Sequence, residues 1–220
     1  MARKINWQRR QGVLVDKAEL KMTIDILNGW RSSGVVDRGG VKRVAAFCLG
    51  LVEPGPLGTE LFDAIARHSV TLAVEAVCLR RGQRGIEVLL TQRPLDDTAY
   101  PGEWHCPGSV LRPGEEFEDV FERLADREFR GLVSSWRFVG EMNNPEEARG
   151  HFVSRIYLVV PEGEPKKGEW FTVDDLPKNT VDHHRDSIIP YGGRRLRRLV
   201  ATQGAKLFSS SERLAPFHKK

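Results

Sequence analysis

The chain is predicted to be an α/β protein, with helices covering a mixed sheet, and three observations lead there. Two runs rich in β-branched residues, Val70 to Val77 and Phe152 to Val160, read as strands. Between them, Phe117, Val120, Phe121 and Leu124 recur at helical spacing within a segment running from Glu115 to Phe129. Strands and helices mixed in this order bury their apolar faces as layers, helix on sheet.

Each element can be justified in turn. Residues 1 to 68 precede the α/β part as an extension, with an expected helix from Asp16 to Gly29, a buried-looking run Val44-Ala45-Ala46-Phe47-Cys48-Leu49 that fits a strand, and a short helix after Thr59. Gly50 and Pro54-Gly55-Pro56 punctuate them. The extension is long enough to cover one side of the domain or to build a homodimer contact. Residues 69 to 191 carry the strands and the amphipathic helix, and Val88 to Arg93 adds a further strand. Residues 192 to 220 form a basic tail, with Arg194-Arg195-Leu196-Arg197-Arg198 and Lys219-Lys220. Such a tail could touch a polyanion, but it lacks interleaved aromatics, so a charged helix face is the reading preferred and nucleic acid is not an expected partner.

Composition narrows the classes. A chain of 220 residues with 40% hydrophobic content can bury one substantial core. No stretch approaches the roughly 20 apolar residues of a membrane span, and Met1-Ala2-Arg3-Lys4-Ile5-Asn6-Trp7 has no apolar signal core. The expectation is a cytoplasmic protein without a membrane partner. Cys48, Cys78 and Cys106 match neither a disulfide framework nor zinc-ligand spacing, and Cys106 reads as a packing residue.

The helix from Glu115 has its own logic. Pro113-Gly114 closes the preceding loop, Glu115 and Glu116 lie where the helix dipole favours anions, and Gly131 is expected to end the run. Glu118, Asp119, Glu122 and Asp126 point away from the apolar stripe and read as a solvated face, with Arg123 and Arg127 available as helix-spaced partners. Glu128 returns to the inward stripe about three turns after Phe117. An inward carboxylate needs a partner, a hydrogen bond or a metal, unless the helix frays and releases it into water.

These residues carry a resemblance. The span Gly108 to Gly131 resembles a Nudix box, G-x5-E-x7-R-E-U-x-E-E-x-G-U, with Glu115 and Arg123 at the acid-to-arginine spacing and Glu128 on the last acid. Ser109 stands for the anchoring glycine, Leu124 and Arg127 replace two acids, and Arg130 replaces the late glycine. Val88-Leu89-Leu90-Thr91-Gln92-Arg93 resembles the strand before the box. Pro101-Gly102-Glu103-Trp104-His105-Cys106-Pro107-Gly108 resembles its G-x-W-x-x-P-G lead-in. Glu169-Trp170-Phe171 with Leu176-Pro177 resembles segments that follow the last strands. The resemblance implies a Nudix-like α/β/α sandwich.

Phe121-Glu122-Arg123-Leu124 followed by the single acid Glu128 is similar to the modified box of GDP-mannose mannosyl hydrolases. That branch implies magnesium, cleavage at the sugar carbon, and a histidine base from a loop after the last strand, where His183 and His184 stand. An ordinary surface loop is the alternative for this pair. Mg2+ or Mn2+ would bind Glu128 and Glu115 with a backbone carbonyl at Gly108 or Ser109, while Arg93, Arg127 and Trp104 would meet the substrate. Glu128, His183 and His184 are the catalytic candidates. The expectation is a metal-dependent hydrolase acting on a nucleoside diphosphate linked to another group, such as a sugar. The alternative keeps the fold and discards the chemistry, leaving a nucleotide-binding or regulatory domain.

Overall fold

The structure is a computed structural model that describes residues 16–53, 55–129, 133–161 and 163–194. The chain divides into two compact units, which part between Gly55 and Pro56.

The first unit is a pair of helices, α1 (Lys17–Ser33) and α2 (Arg38–Gly50). Asp16 caps α1 by accepting from the Ala18 and Glu19 amides, and Gly34, at φ 68°, ends it in the left-handed conformation that glycine adopts at least cost. The helix therefore runs one turn past Gly29. Asp37 caps α2 through the Gly40 amide and accepts a 3.0 Å bond from the Trp30 indole. The run Val44 to Leu49 is helical, which corrects the expectation of a buried strand. A helix turns each successive residue by about 100°, so six neighbouring apolar residues cannot share one face. Here Val44 and Phe47 are half-buried and the others are exposed.

The second unit opens with α3 (Thr59–Ala66) and then builds a mixed seven-stranded sheet. Its strands are β1 (Val70–Gly82), β2 (Gly85–Gln92), β3 (Trp104–His105), β4 (Gly108–Val110), β5 (Val133–Glu147), β6 (Gly150–Pro161) and β7 (Glu169–Thr172). The main order is β3-β2-β1-β6-β5, with β4 on β1 and β7 on β2. β1 and β6 run parallel, from Val70 opposite His151 to Cys78 opposite Val159, and the other pairings between strands are antiparallel.

The helix α4 (Phe117–Arg127) follows the loop after β4, and Glu116 and Asp119 form a reciprocal capping box at its start. Val120, Phe121 and Leu124 are buried and Phe117 half-buried, as the stripe predicts. Residues 182–194 form a last described helix, α5, which is π-helical over His184–Ile188.

Residue alternation along β1 and β6 sorts the two faces. Val74, Ala76, Cys78, Tyr157 and Val159 pack with Val120, Phe121 and Leu124 of α4. On the opposite face, Ala73 and Phe152 pack with Ala66 and Phe62 of α3, while Val77 and Ile156 pack with Ile188 and Ile189 of α5. The result is an α/β/α sandwich. Between the α3 and α5 contacts, on that same face, lie Glu75 and Ser154. Among the described residues, no helix is long and apolar enough to cross a membrane.

Candidate functional site

The loop before α4 and the helix itself are locked together by one side chain. Arg123 Nε donates to Glu115 Oε1 at 2.9 Å and Nη2 to Oε2 at 2.7 Å, while Nη1 donates to Ser109 Oγ at 2.6 Å and Nη2 to the Val110 carbonyl at 2.9 Å. The Arg112 amide adds a bond to Glu115 Oε2. Burial works against the Glu115 charge, but Arg123 and the Arg112 amide outweigh it and hold the carboxyl below its ordinary range. Helix spacing offers Asp119 as a partner for Arg123. The guanidinium instead turns to Glu115, and Asp119 accepts from the Glu116 amide.

This arrangement tests the expected metal ligands. Both Glu115 oxygens are engaged, Ser109 Oγ receives an arginine N–H, and Leu124 is a core residue. α4 ends at Arg127, so Glu128 is the C-cap, half-buried, with its carbonyl receiving the Lys166 and Lys167 amides. Arg127 is exposed. Arg112 also feels the positive charges of Arg123 and Arg127, second to its burial, and its pKa falls. Arg112, Arg123 and Arg127 thus stand within electrostatic reach of one another. Among the described residues, no three His, Cys, Asp or Glu side chains are grouped to hold a metal ion. Magnesium takes hard oxygen donors, and here the Glu115 and Ser109 oxygens are already held by Arg123 and the Arg112 amide, so this set does not fit it. The expected helix end at Gly131 and the substitution Arg130 lie outside the described residues, as does the tail beyond Arg194.

The opposite sheet face carries the second polar group. His183 and His184 begin α5, their rings 4.7 Å apart, and His184 faces His105 at 5.7 Å. His184 Nδ1 accepts the Cys106 amide at 3.2 Å, which places the ring proton on Nε2. Burial, reinforced by His105, holds His184 well below the usual histidine range, and burial with Arg93 takes His105 down to about 3. His184 is therefore a buried neutral element. His183 is only partly covered, lies 5.8 Å from the Tyr100 ring, and is lowered by burial with Glu147 opposing.

Arg93 leaves the end of β2 and donates to Asp97 Oδ2 at 2.6 Å. Asp97 also accepts Arg149 Nη2 at 2.8 Å and the Ala99 and Tyr100 amides. Burial opposes its charge, yet these donors hold Asp97 far below the carboxylate range. Arg149 reaches Asp63 of α3 at 3.3 Å as well. Arg93 is thereby braced, with its Nε buried and without a partner among the described residues. Trp104 is half-buried and packs edge-on against Phe171 at 5.0 Å.

Sequence reading did not single out Glu75, His105, Asp97, Tyr100 or Arg149. Glu75 was visible as the lone acid in an apolar strand. It is buried, its Oε1 accepts from Ser154 Oγ at 3.4 Å, and its Oε2 lies against Gly108. Burial pushes its carboxyl up to about 7, with Arg93 the main opposing charge.

Comparison with solved structures finds similar folds. A MutT NUDIX hydrolase from Burkholderia pseudomallei is 24% identical over 53% of this chain and 94% of its own, with a TM-score of 0.45. A MutT/nudix family protein from Enterococcus faecalis is 18% identical over 87% of this chain and 78% of its own, with a TM-score of 0.49. NrtR of Shewanella oneidensis is 20% identical over 59% of this chain and 65% of its own, with a TM-score of 0.48. No curated protein sequence matches the chain. The profile of the NUDIX domain matches residues 70–191, and the chain belongs to that family.

Proposed function

We propose that this protein binds a nucleoside diphosphate derivative without using a metal centre in the box, so that the box serves as a rigid anion-binding ledge. The observation behind this reading is the Arg123 clamp, which engages Glu115 and Ser109 while the charges of Arg112 and Arg127 lie within electrostatic reach of each other and of Arg123. A diphosphate has to be neutralised, and fixed arginines can do this directly where a cation would otherwise be needed. The positive charge of Arg127 also opposes the Mg2+ or Mn2+ that members of this family generally use.

One observation favours a second reading, hydrolysis of a nucleotide sugar. His183, partly covered beside Tyr100 and kept neutral by burial, is able to accept a proton from water. In that reading Glu128 would be the acid whose loss matters most.

Calorimetry and product analysis with nucleotide sugars and dinucleoside polyphosphates, in chelator and then with Mg2+ or Mn2+, separate the two. The expected result is binding that survives chelation, weakens with salt, and falls several-fold in Arg127→Glu, with no turnover. Metal-dependent turnover that disappears in Glu128→Gln would overturn the ledge and establish the hydrolase.

A further inference from the structure

The first unit carries more apolar surface than its two helices cover between them. Thr23, Ile26 and Trp30 recur on the covered side of α1, and Gly40, Val44 and Phe47 on that of α2, yet of these only Thr23 and Gly40 are fully buried. A second set repeats the same spacing. Leu20, Ile24 and Leu27 are exposed on α1, and Val41, Ala45 and Cys48 are exposed on α2. At about 100° per residue, the exposed stripe is turned from the covered one by roughly 90° on α1 and roughly 100° on α2, in the same sense on both. The chain doubles back through Gly34 to Asp37, so equal turns bring both stripes to one side of the pair. From Val44 to Gly50, α2 has no charged residue, although a helix apolar all round is ordinarily a buried one. Helices of this length are marginal in water without such cover.

We propose that this side of the α1 and α2 pair is a homodimer face, which closes on the same side of a second copy to make a four-helix bundle. In a square of four, each helix touches two neighbours in directions about 90° apart, whereas one added helix would make a triangle and bring the stripes to about 60°. The occupant that fits is therefore a second helix pair, and a second copy of this chain supplies one by two-fold symmetry. Helices of 17 and 13 residues lying side by side present a face about 20 Å wide and 20–25 Å long. Two such faces bury on the order of 1,000 Å2, the size of a weak but specific dimer. Lys17 and Arg38 border the face, so like charges meet at its rim and leave the centre, at Ala45 and Cys48, uncharged. The inference is independent of the ligand reading above.

The test is sedimentation equilibrium of the full chain across the micromolar range, with maleimide labelling of Cys48, for the natural protein, Ala45→Glu and Met22→Glu. Cys78 and Cys106 are buried, so labelling reads Cys48. Met22 is exposed on the far side of α1 and controls for adding an acid to the unit. Circular dichroism verifies that both variants fold. The natural protein is expected to be a dimer that dissociates on dilution, with Cys48 labelled roughly tenfold more slowly in the dimer than in the monomer. Ala45→Glu is expected to weaken the dimer by at least about tenfold, because it buries a charge at the centre of the face, and Met22→Glu to leave it unchanged. A natural protein that stays monomeric overturns the proposal, whether Cys48 labels freely or is protected by the chain itself. A dimer that survives Ala45→Glu, or that both variants weaken alike, overturns this face as its seat.

Discussion

Arg123 binds Glu115 through two hydrogen bonds, of 2.9 and 2.7 Å, across one turn of loop and the first half of α4. Each side chain is less than one fifth exposed, so the pair is held where solvent screens it weakly. Removing the arginine alone leaves a part-buried carboxylate without its main partner. Arg123→Ala is therefore expected to cost about 1–3 kcal/mol in chemical denaturation. Adding Glu115→Gln should return a large part of that loss. Simple additivity in the double-mutant cycle would show that the two residues do not act as a pair.

Gly108 gives a second, independent prediction. A Cβ there would meet Glu75 Oε2 at 2.4 Å and the Val74 carbonyl at 3.1 Å. Both neighbours sit in the interior of the sheet, so Gly108→Ala is expected to destabilise by about 1–3 kcal/mol through overpacking. Combining it with Glu75→Ala should recover part of this, because the closer obstruction is the side chain. A melting temperature unchanged by Gly108→Ala would contradict the close approach of β4 to β1.

Acid should loosen the α5 side of the domain. His184 lies well below the ordinary histidine value and His105 is at about 3, so the folded protein refuses protons that the unfolded chain accepts below about 6.5. Their contribution is fully present above 6.5 and is lost as pH falls, by up to about 1.4 kcal/mol per pH unit for each ring. Glu75 acts in the opposite sense. Raised to about 7, it favours the folded state at low pH and withdraws that support between about 4.5 and 7. Two groups outweigh one, so the net stability should fall from pH 6.5 toward 5. Glu75→Gln should steepen that fall, and His184→Gln should flatten it. A stability profile that does not change in either variant would show that these groups are not buried as described.

Arg149 joins three elements, since it sits in the turn between β5 and β6 and reaches Asp97 at 2.8 Å and Asp63 at 3.3 Å. Arg149→Ala leaves two part-buried acids short of a cation. Amide hydrogen exchange should then quicken, by up to about 100-fold, in α3 and in residues 93–102, with little change in α4. Uniform acceleration across the sheet would point instead to global destabilisation.

Much of the sandwich could be read from the sequence because period sets burial. The strands around Val74 and Ile156, and the Val120, Phe121 and Leu124 stripe, follow rules that need no tertiary partner. The choice of Glu115 over Asp119 by Arg123 could not be read that way. It depends on how the Pro113-Gly114 loop folds back, while helix spacing alone offers Asp119 equally well. Val44 to Leu49 misled for a related reason, since an unbroken apolar run has the same composition in a strand or a helix. Glu75 stayed hidden because its neighbours Gly108 and Ser154 come from distant strands, brought beside it only by the sheet register. Glu128 depended on where α4 stops, and helix ends are set by local capping more than by periodicity.

The parallel pairing of β1 with β6 also governs how the protein can be made. Val70 finds His151 only after about 80 further residues have been added. At synthesis rates of about 5–20 residues per second, the nascent β1 waits on the order of ten seconds with the edge that takes β6 unpaired. Ribosome-bound chains that stop short of β6 should accordingly be captured by chaperones, and release of that capture should coincide with the emergence of Pro161 from the exit tunnel.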